Sequence, residues 1–273
     1  MDNLTQRLHV LAPALVPAAF FVVGFFLYCG LCLVGRRPEK TFYRERDNVF
    51  DFFIHFFIWL LGPLERVLER LKLTPNHLTM AALACCAGSG LAIATRHLST
   101  AAWLYIAAGA LDVLDGRLAR AKNMTSKSGA LLDSVTDRWG ELLVFSGFAW
   151  FLRDSVWLLA VLLAMAGSIM VSYTRARGES LGVTLSGGIM QRAERIALVS
   201  VGTLVTAWFD AVRETAEFGI QVIGVALVLC GVLASVTAIG RWIRGYKMLR
   251  AEELAAAGDR ASASGKLSKV TVD

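Results

Sequence analysis

Residues 112–120 read D-V-L-D-G-R-L-A-R, and residues 129–137 read G-A-L-L-D-S-V-T-D. The first segment places two aspartates three positions apart, and the second places two aspartates four positions apart. Residues at these separations lie on one face of a helix, so each segment predicts a helix with an acidic face. The four acidic residues are Asp112, Asp115, Asp133 and Asp137.

The sequence around these segments is strongly apolar, and this decides the fold class. Hydrophobic residues make up 56% of the 273-residue chain, and the mean hydropathy is +0.55. Apolar stretches of about 20 residues, the length that crosses a bilayer, recur along the chain. The predicted spans are residues 10–34, 75–95, 99–120, 128–151, 155–176, 189–209 and 218–240. Because lipid offers the backbone no hydrogen-bond partner, we expect an all-α integral membrane protein.

Carboxylates that lie close to a bilayer require a positive partner. A charged group at the bilayer centre costs about 3 kcal/mol, so four together need strong compensation. Oxygen ligands suit hard Mg²⁺ or Mn²⁺ better than zinc, and we expect two such ions at the aspartates. Two ions can clamp the attacking and leaving oxygens of a phosphoryl transfer. The short connector 121–128 predicts that the two acidic helices are antiparallel neighbours across one groove.

The net charge of +6 is unevenly distributed and predicts the topology. Basic residues concentrate in alternate connections, at 36–46, 66–72, 117–127, 175–195 and 241–250. The remaining connections hold only Arg96, Arg153 and Arg213. Positive residues favour the cytoplasmic side, so we expect the N-terminus outside and the aspartates and C-terminus in the cytoplasm of a cell-membrane protein. The basic charge fits anionic lipid headgroups better than nucleic acid.

The chain divides into three predicted regions. Residues 1–72 form an extension with one transmembrane helix, followed from residue 50 by an amphipathic helix that we expect in the cytoplasmic interface. Residues 73–250 form a six-helix transmembrane core, and Thr74-Pro75 marks its first helix by a capping hydroxyl and a proline. Residues 251–273 are polar and small, and we expect disorder past Gly258.

Small residues and an arginine accompany the aspartates at fixed spacing. Gly116 and Gly129 allow a ligand to approach the backbone, Ala119 keeps the face shallow, and Arg120 can hold a phosphate. The full pattern is Asp112-x2-Asp115-Gly116-x2-Ala119-Arg120-x8-Gly129-x3-Asp133-x3-Asp137. It resembles the complete signature of the CDP-alcohol phosphotransferase family.

The resemblance implies an enzyme of phospholipid biosynthesis. Such enzymes transfer a phosphatidyl group from CDP-diacylglycerol to an alcohol and release CMP. The implied metal ligands are Asp112, Asp115, Asp133 and Asp137, with Asp137 also the general base. The implied CDP site is lined by Asp115, Gly116, Ala119, Arg120 and Gly129. Family members commonly form homodimers, and the resemblance implies one here.

A second resemblance concerns the acceptor alcohol. The segments at 172–179 and 187–195 resemble those of bacterial phosphatidylinositol phosphate synthases, with Gly178 and the triplet at 191–193 as departures. It implies that Ser172, Arg175 and Arg195 hold the phosphate of inositol 1-phosphate. Glycerol 3-phosphate, another polyol phosphate and an amino alcohol remain open as acceptors. A divalent-cation transporter that uses the four aspartates is the alternative of a different class.

Overall fold

The structure, a computed structural model, describes residues 3–34, 49–71, 73–213 and 216–270. Within these ranges the chain is helical, with no strand. The helices are α1 (Asn3–Leu33), α2 (Val49–Arg70), α3 (Pro75–Ala94), α4 (Leu98–Ala121), α5 (Lys127–Phe151), α6 (Leu158–Ser180), α7 (Arg192–Arg213) and α8 (Ala216–Val270). The predicted basic connector at 36–46 lies outside the described residues.

Each predicted span coincides with one of these helices, α2 being the additional helix. Four segments are long and apolar enough to cross a membrane: Pro75–Ala94, Leu98–Ala121, Leu158–Ser180 and Glu217–Gly258. The predicted all-helical fold class is confirmed, and these four segments suit a multi-pass membrane protein. Helix α5 carries several charged residues along its first half, which lowers its hydropathy. The same charges build the site described below.

Close approach of small residues holds the central helices together. A side chain at Gly147 of α5 would collide with the backbone of Gly90 in α3, and one at Gly90 would collide with the carbonyl of Leu143. Helices α6 and α8 approach in the same way, since a Cβ at Gly167 would lie 2.9 Å from the carbonyl oxygen of Gly231. In a membrane, where lipid is as apolar as the core, such backbone proximity supplies much of the packing energy.

Helix α3 packs closely against both acidic helices. Helices α4 and α5 themselves, described over their whole length, make little direct backbone contact. The predicted pair is therefore joined through a third helix. This differs from the predicted neighbours because connector length restricts which helices can be adjacent without deciding which helix fills the space between them.

Local sequence decides where the acidic helices and α3 begin. Thr74 is the N-cap of α3 and Pro75 its first residue, as predicted, and the Thr74 N–H donates to Nδ1 of His77 over 3.2 Å. Ser126 is the N-cap of α5 and accepts from the N–H of Gly129 over 3.0 Å. These caps satisfy amide groups that the first turn of a helix leaves unpaired.

The C-terminal tail differs from the prediction, because α8 continues as one helix to Val270 where we expected disorder past Gly258. The physical reason lies in residues 251–257, A-E-E-L-A-A-A, which are strong helix formers that extend a helix already nucleated in the core.

Candidate functional site

Three of the four predicted metal-binding aspartates converge where the C-terminal half of α4 faces the N-terminal half of α5. Asp112, Asp133 and Asp137 each offer a carboxylate oxygen, and these atoms lie within 4.8 Å of one another. Asp133 and Asp137 are one turn apart on α5, so both point towards α4, as the spacing predicted. The arrangement concentrates negative charge in a small volume, which is what a hard divalent cation requires.

The fourth aspartate, Asp115, has a different local environment. Its side chain is buried, and its Oδ2 accepts a hydrogen bond of 2.6 Å from the hydroxyl of Thr79 in α3. Asp115 still interacts electrostatically with Asp112 and Asp133. Thr79 therefore orients the carboxylate, leaving its second oxygen for a ligand. Its place in a four-aspartate metal set stays a prediction.

The donor set fits a divalent metal. Oδ1 of Asp133 is buried and has no hydrogen-bond partner among the described residues. Burying an unpartnered carboxylate oxygen is costly, so this atom calls for a positive ligand. Together with the convergence of oxygens from Asp112 and Asp137, it matches the hard oxygen ligands of Mg²⁺ or Mn²⁺.

An arginine that the sequence analysis left without a role enters this cluster. Arg192 is the first residue of α7, and its Nη1 lies 2.5 Å from Oδ1 of Asp112 and 2.7 Å from Oδ1 of Asp137. Its position among basic residues at a helix start resembles ordinary topology-determining charge. Only the packing of α7 against α4 shows which carboxylates it reaches.

The predicted CDP-site residues lie beside the aspartates on the same helices. The guanidinium of Arg120 folds over Gly116, so that a Cβ on that glycine would lie 3.5 Å from Nη1 of Arg120. A Cβ on Gly129 would lie 3.0 Å from the hydroxyl oxygen of Ser126. Ala119, on the same α4 segment, is half-buried. Arg120, which is exposed, lies at the edge of the surface that these positions form.

The three predicted acceptor residues make no direct contact with one another in the hydrogen bonds and ion pairs of the described residues. Ser172 is half-buried, whereas Arg175 is exposed and pairs with Glu179 one turn along α6, at 2.9 Å. No hydrogen bond or ion pair joins either residue to Arg195 in the part of the chain that the structure describes.

Arg195, which was predicted to hold the acceptor phosphate, has a buried side chain. Its Nη2 and Nε donate to Oε1 of Glu141 over 2.5 and 3.0 Å, and Nη1 donates to the carbonyl of Met190 over 3.4 Å. Glu141 lies one turn after Asp137 on α5 and is itself buried. Because a buried carboxylate needs a cation beside it, Glu141 keeps the side chain of Arg195 inside the protein. The sequence of α7 alone does not reveal this pair.

The sequence from residue 72 to residue 242 matches the CDP-alcohol phosphatidyltransferase family. The chain belongs to this family. The matched region contains all the aspartates of the cluster, together with Glu141, Arg192 and Arg195. It is therefore an enzyme of the CDP-alcohol phosphatidyltransferase type, and the signature resemblance seen in the sequence is confirmed.

Curated relatives within the family share the matched region. A phosphatidylinositol phosphate synthase of Corynebacterium glutamicum is 35% identical over 149 residues, which cover 52% of this chain and 68% of the relative. An archaetidylinositol phosphate synthase of Pyrococcus horikoshii is 35% identical over 191 residues, covering 68% of this chain and 93% of the relative.

Solved structures of this family have the same fold. The phosphatidylinositol phosphate synthase of Mycobacterium tuberculosis with CDP-DAG bound superposes with a TM-score of 0.59 at 28% identity, covering 67% of this chain and 92% of that one. The same synthase in complex with manganese and citrate superposes with a TM-score of 0.60 at 27% identity, covering 67% and 88%.

Proposed function

We propose that this CDP-alcohol phosphatidyltransferase joins CDP-diacylglycerol to inositol 1-phosphate and releases CMP. The observation that carries the proposal is the convergence of Asp112, Asp133 and Asp137 beside the Gly116–Arg120 surface. Support for the substrates comes from the relatives, which are named as inositol phosphate lipid synthases, and from the neighbouring structure with CDP-DAG bound.

Asp112, Asp115, Asp133 and Asp137 would hold the metal, as two Mg²⁺ or Mn²⁺ ions. Such ions, when bound, neutralise the charge that develops on the oxygens of the transferring phosphate. Manganese in a neighbouring structure and the unpartnered oxygen of Asp133 support this assignment. Thr79 would keep Asp115 in one orientation by its 2.6 Å hydrogen bond.

Asp137 would act as the general base, because a carboxylate in this cluster can accept the proton of the attacking inositol hydroxyl. Asp115, Gly116, Ala119, Arg120 and Gly129 would line the CDP site. Arg120 can swing from Gly116 onto the pyrophosphate with its planar fork, since its guanidinium has no carboxylate partner among the described contacts.

The acceptor carries nearly two negative charges, so its site needs arginine. Ser172 and Arg175 would hold the phosphate, with Arg175 leaving Glu179 as it does so; Arg195 completes the predicted set. Because Arg195 is paired with buried Glu141, it would contribute by sharing its guanidinium between Glu141 and the acceptor phosphate. Glycerol 3-phosphate, other polyol phosphates and amino alcohols are the alternative acceptors. Membership of a transferase family disfavours the cation transporter.

The architecture proposed for this function has six transmembrane helices, α3 to α8, as its catalytic domain at 73–250. Helix α1 would add a seventh span and α2 would lie in the cytoplasmic interface, together forming the extension 1–72, while 251–273 would form a cytoplasmic tail. The N-terminus would lie outside, the active site in the cytoplasm, and the enzyme would be a homodimer.

The experiment that tests this function measures CMP release by the purified protein in detergent. CDP-diacylglycerol and Mg²⁺ or Mn²⁺ are supplied with inositol 1-phosphate, glycerol 3-phosphate, serine, ethanolamine or choline. We expect CMP and a new phospholipid with inositol 1-phosphate. If only another compound supports CMP release, that compound is the acceptor in place of inositol 1-phosphate. If none of them supports CMP release, the transferase assignment is rejected. Metal flux into vesicles would instead support a transporter.

A further inference from the structure

Arg192 connects three helices through one nitrogen atom. Nη1 lies 2.5 Å from Oδ1 of Asp112 on α4 and 2.7 Å from Oδ1 of Asp137 on α5, while the residue itself begins α7. The three side chains are 19%, 28% and 17% exposed, so water screens their interaction only in part. These are the shortest ion-pair contacts that the cluster makes among the described residues, although Nη1 is not oriented for a hydrogen bond to either oxygen.

The position of that nitrogen excludes a metal from the same oxygens. Mg²⁺ coordinates carboxylate oxygen at about 2.1 Å, so a cation bound by the Oδ1 atoms of both Asp112 and Asp137 would have to lie between these two atoms. A guanidinium nitrogen already occupies this space. Repulsion between the metal ion and the guanidinium at such short range also opposes their binding to these oxygens together.

We infer that Arg192 is the counter-cation of the metal-free aspartate cluster, and that a divalent cation binds there by displacing its guanidinium. The inference rests on the proposed metal site. It makes Arg192 a positioning residue, which keeps α4, α5 and α7 together before metal binds and lowers the apparent metal affinity by competition.

The displacement involves the side chain of Arg192 and leaves the backbone at the start of α7 in place. The N–H of Met190 donates to the hydroxyl of Thr237 over 3.1 Å, and the N–H of Gln191 donates to Oε2 of Glu194 over 3.1 Å. Arg195 remains anchored on Glu141 one turn later. With the backbone held at these points, the long side chain of Arg192 can leave the cluster without unfolding the helix.

The chain offers a matched control in Arg138. Its Nη1 is 3.6 Å from Oδ2 of Asp137, so the same carboxylate has a second arginine nearby, but at a longer distance and without contact to Asp112. Arg138→Gln removes the same unit of positive charge from beside the cluster. A general electrostatic effect would make the two glutamine variants alike, whereas competition for the metal position is specific to Arg192.

The test measures Mn²⁺ binding alone, by the electron paramagnetic resonance signal of free Mn²⁺ above the full-length protein in detergent. We expect Arg192→Gln to bind Mn²⁺ roughly 10-fold or more tightly than the native chain, because the competing state is removed. Arg138→Gln should change the affinity by less than about threefold. Equal affinities in the native chain and Arg192→Gln would overturn the inference.

Thermal unfolding supplies a second readout. In EDTA, Arg192→Gln should melt below the native chain because the carboxylates lose their counter-cation, and saturating Mn²⁺ should remove most of that difference. An equal loss of melting temperature with and without Mn²⁺ means that Arg192 is merely structural and rejects the inference.

A second variant applies if Arg192→Gln does not fold without metal. Arg192→Lys keeps the charge but loses the planar fork, so it should bind Mn²⁺ more tightly than the native chain. Unchanged Mn²⁺ binding would contradict the inference. No Mn²⁺ binding by the native chain would instead reject the proposed metal site.

Discussion

Glu65 of α2 and Arg117 of α4 form a two-point ion pair, with Arg117 Nε 2.8 Å from Oε1 and Nη2 2.7 Å from Oε2 of the glutamate. Both side chains are less than one-fifth exposed. Arg117 directly follows Gly116 in the signature segment, and the neighbouring Leu68, Leu78 and Leu114 pack together beneath the pair. The N-terminal extension is thus joined to the proposed CDP surface.

Glu65→Ala should weaken binding of the lipid donor. Loss of the carboxylate leaves Arg117 partly buried without its partner, at a cost of about 1–3 kcal/mol, and frees α4 next to Gly116. We expect a lower melting temperature and an apparent KM for CDP-diacylglycerol several-fold higher, measured by CMP release. Glu69→Ala, an exposed carboxylate one turn along the same helix, is the control and should change neither value. An unchanged KM would mean that α2 does not position the CDP surface.

Asp137→Asn should abolish turnover while CDP-diacylglycerol still binds. An amide cannot accept the proton of the acceptor hydroxyl, and general-base catalysis contributes at least about 100-fold to the rate. The measurements are CMP release and retention of labelled CDP-lipid by the purified protein. Asp154→Asn is the matched control, because Asp154 is largely exposed on the α5–α6 connector. Turnover within tenfold of the native rate would exclude Asp137 as the base.

Arg195→Met should lower the stability of the protein more than it affects acceptor binding. It leaves Glu141 buried and unpaired, which costs about 3–5 kcal/mol, so we expect a clear fall in melting temperature in detergent. The double variant Arg195→Met/Glu141→Leu should recover most of the loss, because no charge is then stranded. A native melting temperature combined with a raised acceptor KM would instead place Arg195 directly on the acceptor phosphate.

Arg175→Ala should raise the apparent KM for inositol 1-phosphate by about tenfold or more with no change in melting temperature. Its side chain is 57% exposed and pairs with Glu179 alone among the described residues. The variant therefore loses an exposed ion pair that stabilises the fold very little. A charge-assisted contact to the acceptor phosphate is worth much more. Arg244→Ala, another exposed arginine whose Nε donates only to a carbonyl of its own helix, is the control. Equal changes in the KM of donor and acceptor would contradict this assignment.

Gly147→Ala should destabilise the helix core even though alanine is the better helix former. Alanine gains about 1 kcal/mol in helix propensity, but its methyl group would collide with the backbone of Gly90, which cannot rotate away as a side chain can. We expect a lower melting temperature and loss of activity from the shifted α5 aspartates. Gly240→Ala, where a Cβ meets nothing within 4 Å, should be neutral or stabilising. A stable Gly147→Ala variant would show that α3 and α5 can separate without loss.

The sequence by itself determined the membrane class, the positions of the helices and the placement of each aspartate pair on one helix face. These are local properties: hydropathy over 20 residues, capping at Thr74 and Ser126, and the helical spacing of Asp133 and Asp137 depend on near neighbours in the chain.

Only the tertiary structure decided which charges meet. Thr79 reaches Asp115 from 36 residues away, and Arg195 reaches Glu141 from 54 residues away. Arg192 and Arg195 are one turn apart on α7, yet one enters the aspartate cluster and the other a buried pair. The angle at which α7 packs on α4 makes that difference, and each buried carboxylate takes the cation that packing brings within reach. No spacing in the α7 sequence encodes that angle.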